Sequence, residues 1–208
     1  IDKHFYYFNR SHNATFNNVY RVGESGEFGI NAAYLNDRDT RQSHSATTNY
    51  LPDGGVNTVD EMMDGTARMQ KAYGDLTFMN NGDESYLKEQ LKFDWSTINA
   101  DSRIVAGGDN VSQIGETDTY RLLNKFHMTH RNSADRGFEI SSLVNLEKRP
   151  HSLSVSPNLF PDIIPGDMLY QHVDYHNIST ENRAGLLSAF KVGNFTLHPS
   201  AIVNYHHN

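Results

Sequence analysis

Apolar and polar residues alternate almost without interruption over two stretches of the chain, 137 to 146 and 194 to 205. Successive side chains in an extended strand point to opposite faces, so Phe138 and Ile140 would share one face while Glu139 lies on the other. Each stretch follows a polar turn and an equally alternating partner. The pattern therefore predicts a β-meander, with one face suited to lipid or a core and the other to water.

The same pattern continues along the chain and predicts eight strands. Their expected bounds are 12–22, 27–37, 68–79, 85–96, 118–130, 137–147, 181–191 and 194–206. The turns within hairpins are short, at 23–26, 80–84, 132–136 and 192–194. The connections between hairpins are long, at 38–67, 97–117 and 148–180. We therefore expect an all-β fold, an antiparallel up-and-down meander forming part of a transmembrane β-barrel, with short periplasmic turns and long extracellular loops.

Each predicted hairpin places its apolar residues on one face. The expected apolar set is Ala14, Phe16, Tyr20, Val22, Phe28, Ile30, Ala32, Tyr34, Leu76, Phe78, Leu87, Leu91, Phe93, Trp95, Tyr120, Leu122, Phe126, Met128, Leu186, Phe190, Phe195, Leu197, Ala201, Val203 and Tyr205, together with the run from Phe138. Lys88, Gln90, Lys92, Asp94, Arg121, Lys125, His127 and Thr129 fall on the opposite face. Pro199 cannot donate a backbone hydrogen bond, which predicts a break, bulge or edge in the last strand.

Composition narrows the possible functions. The hydrophobic content of 37% is low for a fully packed interior of 208 residues, but a wall between lipid and a wet lumen needs less. The net charge of -7 argues against a nucleic-acid partner, because such binding needs a basic face. The chain has no Cys, which excludes disulfides, thiolate nucleophiles and thiolate metal sites. No apolar run is long enough for a membrane helix, so strands would make any crossing.

Several residue successions resemble the barrel of TonB-dependent outer-membrane receptors from Bacteroidota. They are the successions 34–38 (YLNDR), 85–93 (SYLKEQLKF) and 149–157 (RPHSLSVSP). The resemblance covers most of the chain and rests on positions of a barrel wall. It implies a barrel of about 22 strands with a plugged lumen. It also implies a location in the bacterial outer membrane, energy coupling through the TonB complex and import of a scarce, small nutrient.

The chain departs from this family at its ends. It begins at Ile1 without an initiator Met or signal peptide, and it ends at Asn208, where such receptors end a strand in an aromatic residue. The plug domain and the TonB box are absent from these residues. We therefore expect residues 1–208 to be a single segment of a β-barrel domain, with contacts to outer-membrane lipid here and contacts to the TonB complex elsewhere.

One group of residues has the composition of a metal site. Alternation places His172, Asp174 and His176 on one face of an extended segment, and two imidazoles with a carboxylate can hold zinc, copper or iron. The alternative is a solvated polar loop face, which we favour because such triplets are common in barrel loops. We therefore expect no metal site and no cofactor.

Four residues near the ends of the predicted strands could line a ligand path: Tyr50, Tyr170, Tyr175 and Arg183. Tyrosine rings stack on sugars or aromatic chelates, and guanidinium groups bind anions. We favour an interfacial aromatic belt for these residues, so the ligand-binding residues stay unassigned.

The remaining candidates give no reason to expect an enzyme. His127 and His130 fit lumen-facing strand positions, and His206 and His207 fit the last predicted strand. The carboxylates Glu139 and Glu147 form no recognisable acid and base pair, and Ser141 and Ser142 lack the glycine-rich elbow of hydrolases.

The sequence is compatible with three functions. The first is a segment of a TonB-dependent receptor that contributes barrel wall and extracellular loops. The second is a complete eight-stranded outer-membrane barrel with an adhesion or structural role, in which the first and last strands would pair and close. The third is a soluble β-sandwich binding module, in which the apolar faces would pack against each other.

Overall fold

The computed structural model describes residues 2–52, 54–106, 109–133, 136–188, 190–192 and 195–207. These residues form strands joined by turns and loops. The strands are β1 (Asp2–Val22), β2 (Gly26–Tyr50), β3 (Val56–Asn81), β4 (Ser85–Ala106), β5 (Asp109–Ser133), β6 (Arg136–Ser156), β7 (Leu169–Leu186), β8 (Phe190–Val192), β9 (Phe195–Leu197) and β10 (Ser200–His207). In the described part of the chain no helix is long and apolar enough to cross a membrane.

Eight of the strands form one antiparallel sheet in the order β1-β2-β3-β4-β5-β6-β7-β10. The short strands β8 and β9 form a separate hairpin between β7 and β10. The prediction of an all-β, antiparallel up-and-down meander is confirmed. The sheet is open, since β1 pairs with β2 and β10 with β7, and no pairing joins β1 to β10 among the described residues. This arrangement differs from the closure that a complete eight-stranded barrel requires.

The sheet is a single layer without a core. Its accessible surface is 14823 Å², whereas a compact protein of 23.6 kDa exposes about 9,800 Å². Among the described residues no side chain is fully buried, and Val155 is the only buried apolar one. Large apolar side chains such as Phe93 and Val203 are 46% and 66% exposed. In the part of the chain with described side chains, the apolar face therefore packs against no second sheet, in contrast to a soluble sandwich.

Strand register collects the predicted apolar residues into one band on one face, which we call the apolar band. Tyr34 lies opposite Ala72, Ala72 opposite Trp95, and Trp95 opposite Tyr120, so three large aromatic residues mark one border. In β4 the band runs nine residues, from Leu87 to Trp95, close to the depth that a tilted transmembrane strand requires. A row of interfacial aromatics is typical of membrane barrels. The side chains of Phe190, Phe195 and Leu197 lie outside the described residues.

Four polar residues within the apolar band pair across neighbouring strands. Asn124 donates a hydrogen bond from Nδ2 to the carboxylate of Glu89. The hydroxyl of Ser142 donates to Oδ1 of Asn182 over 2.8 Å. Cross-strand hydrogen bonds reduce the cost of placing polar groups within an apolar face.

The strands are much longer than the sequence predicts. The segments expected as loops, 38–67, 97–117 and 148–180, are largely paired strand, and β3 alone has 26 residues. We call the strand region beyond the aromatic border the collar; it comprises residues 2–12, 36–50, 56–70, 97–106, 109–118, 148–156 and 169–176. Polar residues dominate both faces of the collar, so the alternation that identifies a strand is lost there.

The fourth predicted hairpin also differs in detail. Strand β7 begins at Leu169 and ends at Leu186, and the predicted strand 194–206 is divided into β9 and β10. The division falls at His198 and Pro199, as the missing amide hydrogen of proline predicts. The carbonyl of Pro199 accepts a hydrogen bond from the amide of Leu186 over 3.0 Å. Residues 193 and 194 of the predicted turn lie outside the described residues.

The first turn depends on a glycine in a left-handed conformation. Gly23 has φ of 68°, which costs a residue with a Cβ atom about 1 kcal/mol. Gly23→Ala should therefore lower the free energy of unfolding by about 1 kcal/mol, measured by denaturant titration in detergent micelles. Gly74→Ala is the matched control, because a Cβ there meets nothing within 4 Å and needs no left-handed backbone. Equal stability of the Gly23 variant and the wild type would contradict this account.

Candidate ligand-facing surface

The face opposite the apolar band carries a compact polar cluster around Asp75. Asp75 lies on β3, and only 7% of its surface is exposed. Its carboxylate accepts hydrogen bonds from the Tyr73 hydroxyl at 2.9 Å, the Thr77 hydroxyl at 3.2 Å and Nε2 of Gln90 at 3.0 Å. The Nζ atom of Lys92 lies 3.7 Å from its Oδ2 atom.

This cluster joins two strands and leaves little capacity for a ligand. Both Asp75 oxygens accept hydrogen bonds, and Lys92 balances the charge. Buried carboxylates need such compensation because leaving water is costly for an ion. We therefore interpret the Asp75 cluster as a brace within the polar face.

In the collar the polar face carries an exposed arginine beside an exposed tyrosine ring. Arg149 on β6 contacts the Glu147 carboxylate at 2.5 Å. Its guanidinium carbon lies 5.7 Å from the ring centroid of Tyr175 on β7. The ring orients the guanidinium by a cation–π contact. Arg149 and Tyr175 are both exposed, so together they offer a flat ring and a cation to the water on this side.

A similar combination occurs at the other edge of the collar. The hydroxyl of Tyr7 donates to Oδ2 of Asp39 over 2.8 Å, and the Arg41 guanidinium lies 3.4 Å from the same oxygen. The guanidinium carbon of Arg41 also lies over the Tyr7 ring, 5.6 Å from the ring centroid. The Oδ1 atoms of Asp37 and Asp39 are buried and have no hydrogen-bond partner among the described residues. These two oxygens retain the capacity to accept hydrogen bonds.

The residues considered for a metal site lie together on one face of β7. His172, Asp174 and His176 occupy alternate positions of β7, as the sequence predicts, and all three are exposed. The His172 Nε2 atom lies 3.2 Å from the Asp174 carboxylate. Within the described ranges, no group of three His, Cys, Asp or Glu side chains is arranged to hold a metal ion.

The four residues considered for a ligand path are divided between the two faces. Tyr50 and Tyr170 lie on the side of the apolar band, far beyond its border, whereas Tyr175 and Arg183 lie on the polar face. The Tyr170 ring stacks on His172 with centroids 6.5 Å apart. The aromatic border is thus formed by Tyr34, Trp95 and Tyr120, whereas Tyr175 lies on the polar face.

The other histidines considered lie on strands, but only His127 has the predicted lumen-side orientation; His130 lies opposite Phe138 on the side of the apolar band, because it is an odd number of residues from His127 along β5. His127 faces the polar side, where its Nδ1 atom lies 4.0 Å from the Glu139 carboxylate. His130 packs its ring against Phe138, with centroids 5.6 Å apart. His206 and His207 pair with β7 near the end of β10.

The loop at the end of β6 carries a feature that the sequence reading missed. Residues 157–168 fold around Asn158, whose Nδ2 donates to the carbonyls of Ile164 and Gly166 at 2.6 and 2.9 Å. Its Oδ1 accepts from the Phe160 amide at 2.8 Å. Five apolar side chains of this loop are nevertheless exposed: Leu159, Phe160, Ile163, Ile164 and Met168. A run of apolar residues between prolines, within an otherwise polar region, is the signal that could have identified this loop.

One comparison with known proteins, that with solved structures, agrees with this architecture. No family model matches the chain, and no curated protein matches it. Among solved structures, it is similar to the crystal structure of the ferric yersiniabactin uptake receptor FyuA from Yersinia pestis, with a TM-score of 0.58 and 11% identity. The match covers 86% of this chain and 27% of the receptor chain. At this identity the similarity shows the fold alone, and the chain spans about a quarter of that receptor.

Proposed function

We propose that the chain forms part of the wall and mouth of an outer-membrane receptor that imports a scarce nutrient by TonB-dependent transport. The observation that carries this proposal is the apolar band, which spans nine residues of β4 on one face of a single-layer sheet and leaves large apolar side chains such as Leu91 and Phe93 exposed. A face of this depth suits the hydrocarbon layer. The similarity of the fold to an uptake receptor supports the transport part of the proposal.

The orientation follows from the two ends of the strands. Turns at the Gly23 end are short, as in the periplasmic turns of outer-membrane barrels, whereas the collar continues far beyond the apolar band. We infer that the collar stands on the cell exterior. The polar face then lines a water-filled lumen, and outer-membrane lipid contacts the apolar band.

Nutrient contacts would come from the collar and its tip loop. Arg149 and Tyr175 present a cation and a ring, and the loop 157–168 presents apolar side chains around a fixed backbone. These groups suit a small ligand that combines an anionic or polar part with an apolar part. The sequence resemblance to receptors from Bacteroidota extends the proposal to contacts with the TonB complex through other parts of the receptor. The proposal includes no catalytic step.

Cysteine labelling tests the orientation, because the chain contains no Cys. Asn49→Cys lies in the collar, Glu24→Cys in the first turn and Leu91→Cys in the apolar band. We expect a membrane-impermeant maleimide to label Asn49→Cys on intact cells, Glu24→Cys only after the outer membrane is opened, and Leu91→Cys only after denaturation. Labelling of Leu91→Cys in the native protein would contradict the assignment of lipid to this face.

Uptake tests the transport part separately. Deletion of the full-length gene should abolish accumulation of one nutrient from a panel of radiolabelled iron chelates, cobalamin, glycans and peptides. Loss of TonB should reproduce that defect, and a plasmid copy of the gene should restore uptake only in the strain that has TonB. Normal accumulation of every compound in the deletion strain, or uptake that persists without TonB, would count against an energised receptor.

A further inference from the structure

Three arginines lie side by side across the first three strands. Arg10 on β1 is directly opposite Arg38 on β2, which is directly opposite Arg68 on β3. All three side chains are exposed and lie on the same side as the apolar band. Arg38 follows Tyr34 of the aromatic border by four residues, which is about 13 Å along a strand. We call this group the arginine row.

None of the three arginines forms an ion pair among the described residues. Like charges directly opposite each other destabilise a sheet. In the described parts of the chain none of the three has a carboxylate within 4.0 Å; the ion pairs found there involve other residues. The nearest carboxylates by register are Asp101 on β4, diagonal to Arg68, and Glu116 on β5, two strands away. A bound anion would supply the missing negative charge.

A cavity at the arginine row has the lining that an anion needs. Its volume is about 450 Å³. Besides the three arginines it is lined by His12, Asn36, Gln70, Thr97 and Asn99, and no carboxylate takes part. The guanidinium and amide groups are hydrogen-bond donors, and arginine forms paired hydrogen bonds with phosphate oxygens.

The position of the row identifies the source of the anion. It lies on the lipid-facing side and just beyond the aromatic border, where the headgroup layer begins, and a side chain as long as arginine reaches along such a boundary. We propose that Arg10, Arg38 and Arg68 bind the phosphate groups of an anionic lipid headgroup in the outer leaflet. This inference rests on the proposed function, because it requires that the apolar band meets lipid.

Lipid titration of the full-length protein in detergent tests the proposal. The probe is a fluorescent glycolipid with two phosphates, compared with the same lipid after enzymatic dephosphorylation. The triple variant Arg10→Gln, Arg38→Gln, Arg68→Gln should bind the phosphorylated lipid roughly tenfold more weakly or worse, since hydrogen bonds to charged groups are strong. Arg21→Gln, Lys88→Gln and Arg131→Gln together are the matched control, because they remove the same charge from the polar face and should leave the affinity unchanged.

The outcomes separate this proposal from the function on which it rests. We expect the wild type to bind the phosphorylated lipid more tightly than the dephosphorylated one. Loss of this difference in the triple variant, but not in the control variant, supports the arginine row as a headgroup site. Full displacement of the lipid by inorganic phosphate would overturn the choice of a lipid and leave a free-anion site. Unchanged affinity of a folded, detergent-dependent triple variant would overturn the arginine proposal alone. A wild-type protein that stays monomeric without detergent would overturn the proposed function as well.

Discussion

Replacing Leu91 with arginine should lower the free energy of unfolding by about 2 to 4 kcal/mol, the cost of a cation at the middle of a membrane barrel wall. Leu91 is the central residue of the band in β4, is 37% exposed and lies opposite Leu76. Its exposure means that arginine there would not enter a packed core, and under the proposed function it would be placed in the hydrocarbon. Guanidinium titration of the full-length protein in lipid vesicles, followed by tryptophan fluorescence, measures the change.

Asn17→Arg is the matched control for Leu91→Arg. Asn17 is exposed on the polar face, and register places it level with Lys92, the neighbour of Leu91. Under the proposed function a cation there meets water, so its effect should stay within about 0.5 kcal/mol. A Leu91→Arg variant as stable as the Asn17→Arg variant would show that both faces meet water.

The second large effect is expected at Asp75. Asp75→Ala should lower the free energy of unfolding by about 2 kcal/mol, because it leaves the Gln90 amide and the Lys92 ammonium without their acceptor. Thermal unfolding followed by heat-dependent gel mobility, with denaturant titration for the free energy, gives the measurement. This effect is smaller than the loss of a fully buried ion pair because Lys92 retains 30% exposure of its side chain.

Two further variants separate the role of the charge from that of the carboxylate's position. Asp94→Ala removes a neighbouring acid on the same face that has no hydrogen bond or ion pair among the described contacts, and it should change stability by less than about 0.5 kcal/mol. The double variant Asp75→Ala, Lys92→Met should recover part of the loss, because it leaves no unpaired ammonium. Equal effects of Asp75→Ala and Asp94→Ala would contradict the brace interpretation.

The sequence predicts the band well because the two faces of the sheet differ most there. From Leu87 to Trp95 the side chains alternate between the two faces, and Leu91, Phe93 and Trp95 occupy the face that the pattern assigns to them. The break at Pro199 is likewise a local property, because it depends on a missing amide hydrogen. These features need no knowledge of distant partners.

The strand structure of the collar cannot be predicted from the local sequence, and the reason is physical. Residues 36–49 include many Asn, Asp, Ser and Thr side chains on both faces, and several of these residue types favour turns when considered alone. Their strand structure depends on pairing with β3, which the local sequence does not specify. Asn36, Asp37 and Arg38 therefore resemble the start of a loop although they continue β2.

The polar clusters were missed because each depends on register between distant segments. Asp75 and Gln90 are separated by a turn, and the Arg10, Arg38 and Arg68 positions come together only through two hairpins. Alternation assigns each residue to a face but does not align it with its neighbour on the next strand. By contrast, the alternate spacing of His172, Asp174 and His176 lies within one strand, so the sequence alone shows that they share a face.

The length of the collar restricts how this protein can change during evolution. Because β2 and β3 stay paired as far as Tyr50 and Val56, a single inserted residue would turn every following side chain to the wrong side or force a bulge. Taller or shorter walls should therefore arise by matched additions or losses of two residues in both arms of a hairpin. Single-residue length changes should be concentrated at the tips, such as 51–55 and 157–168.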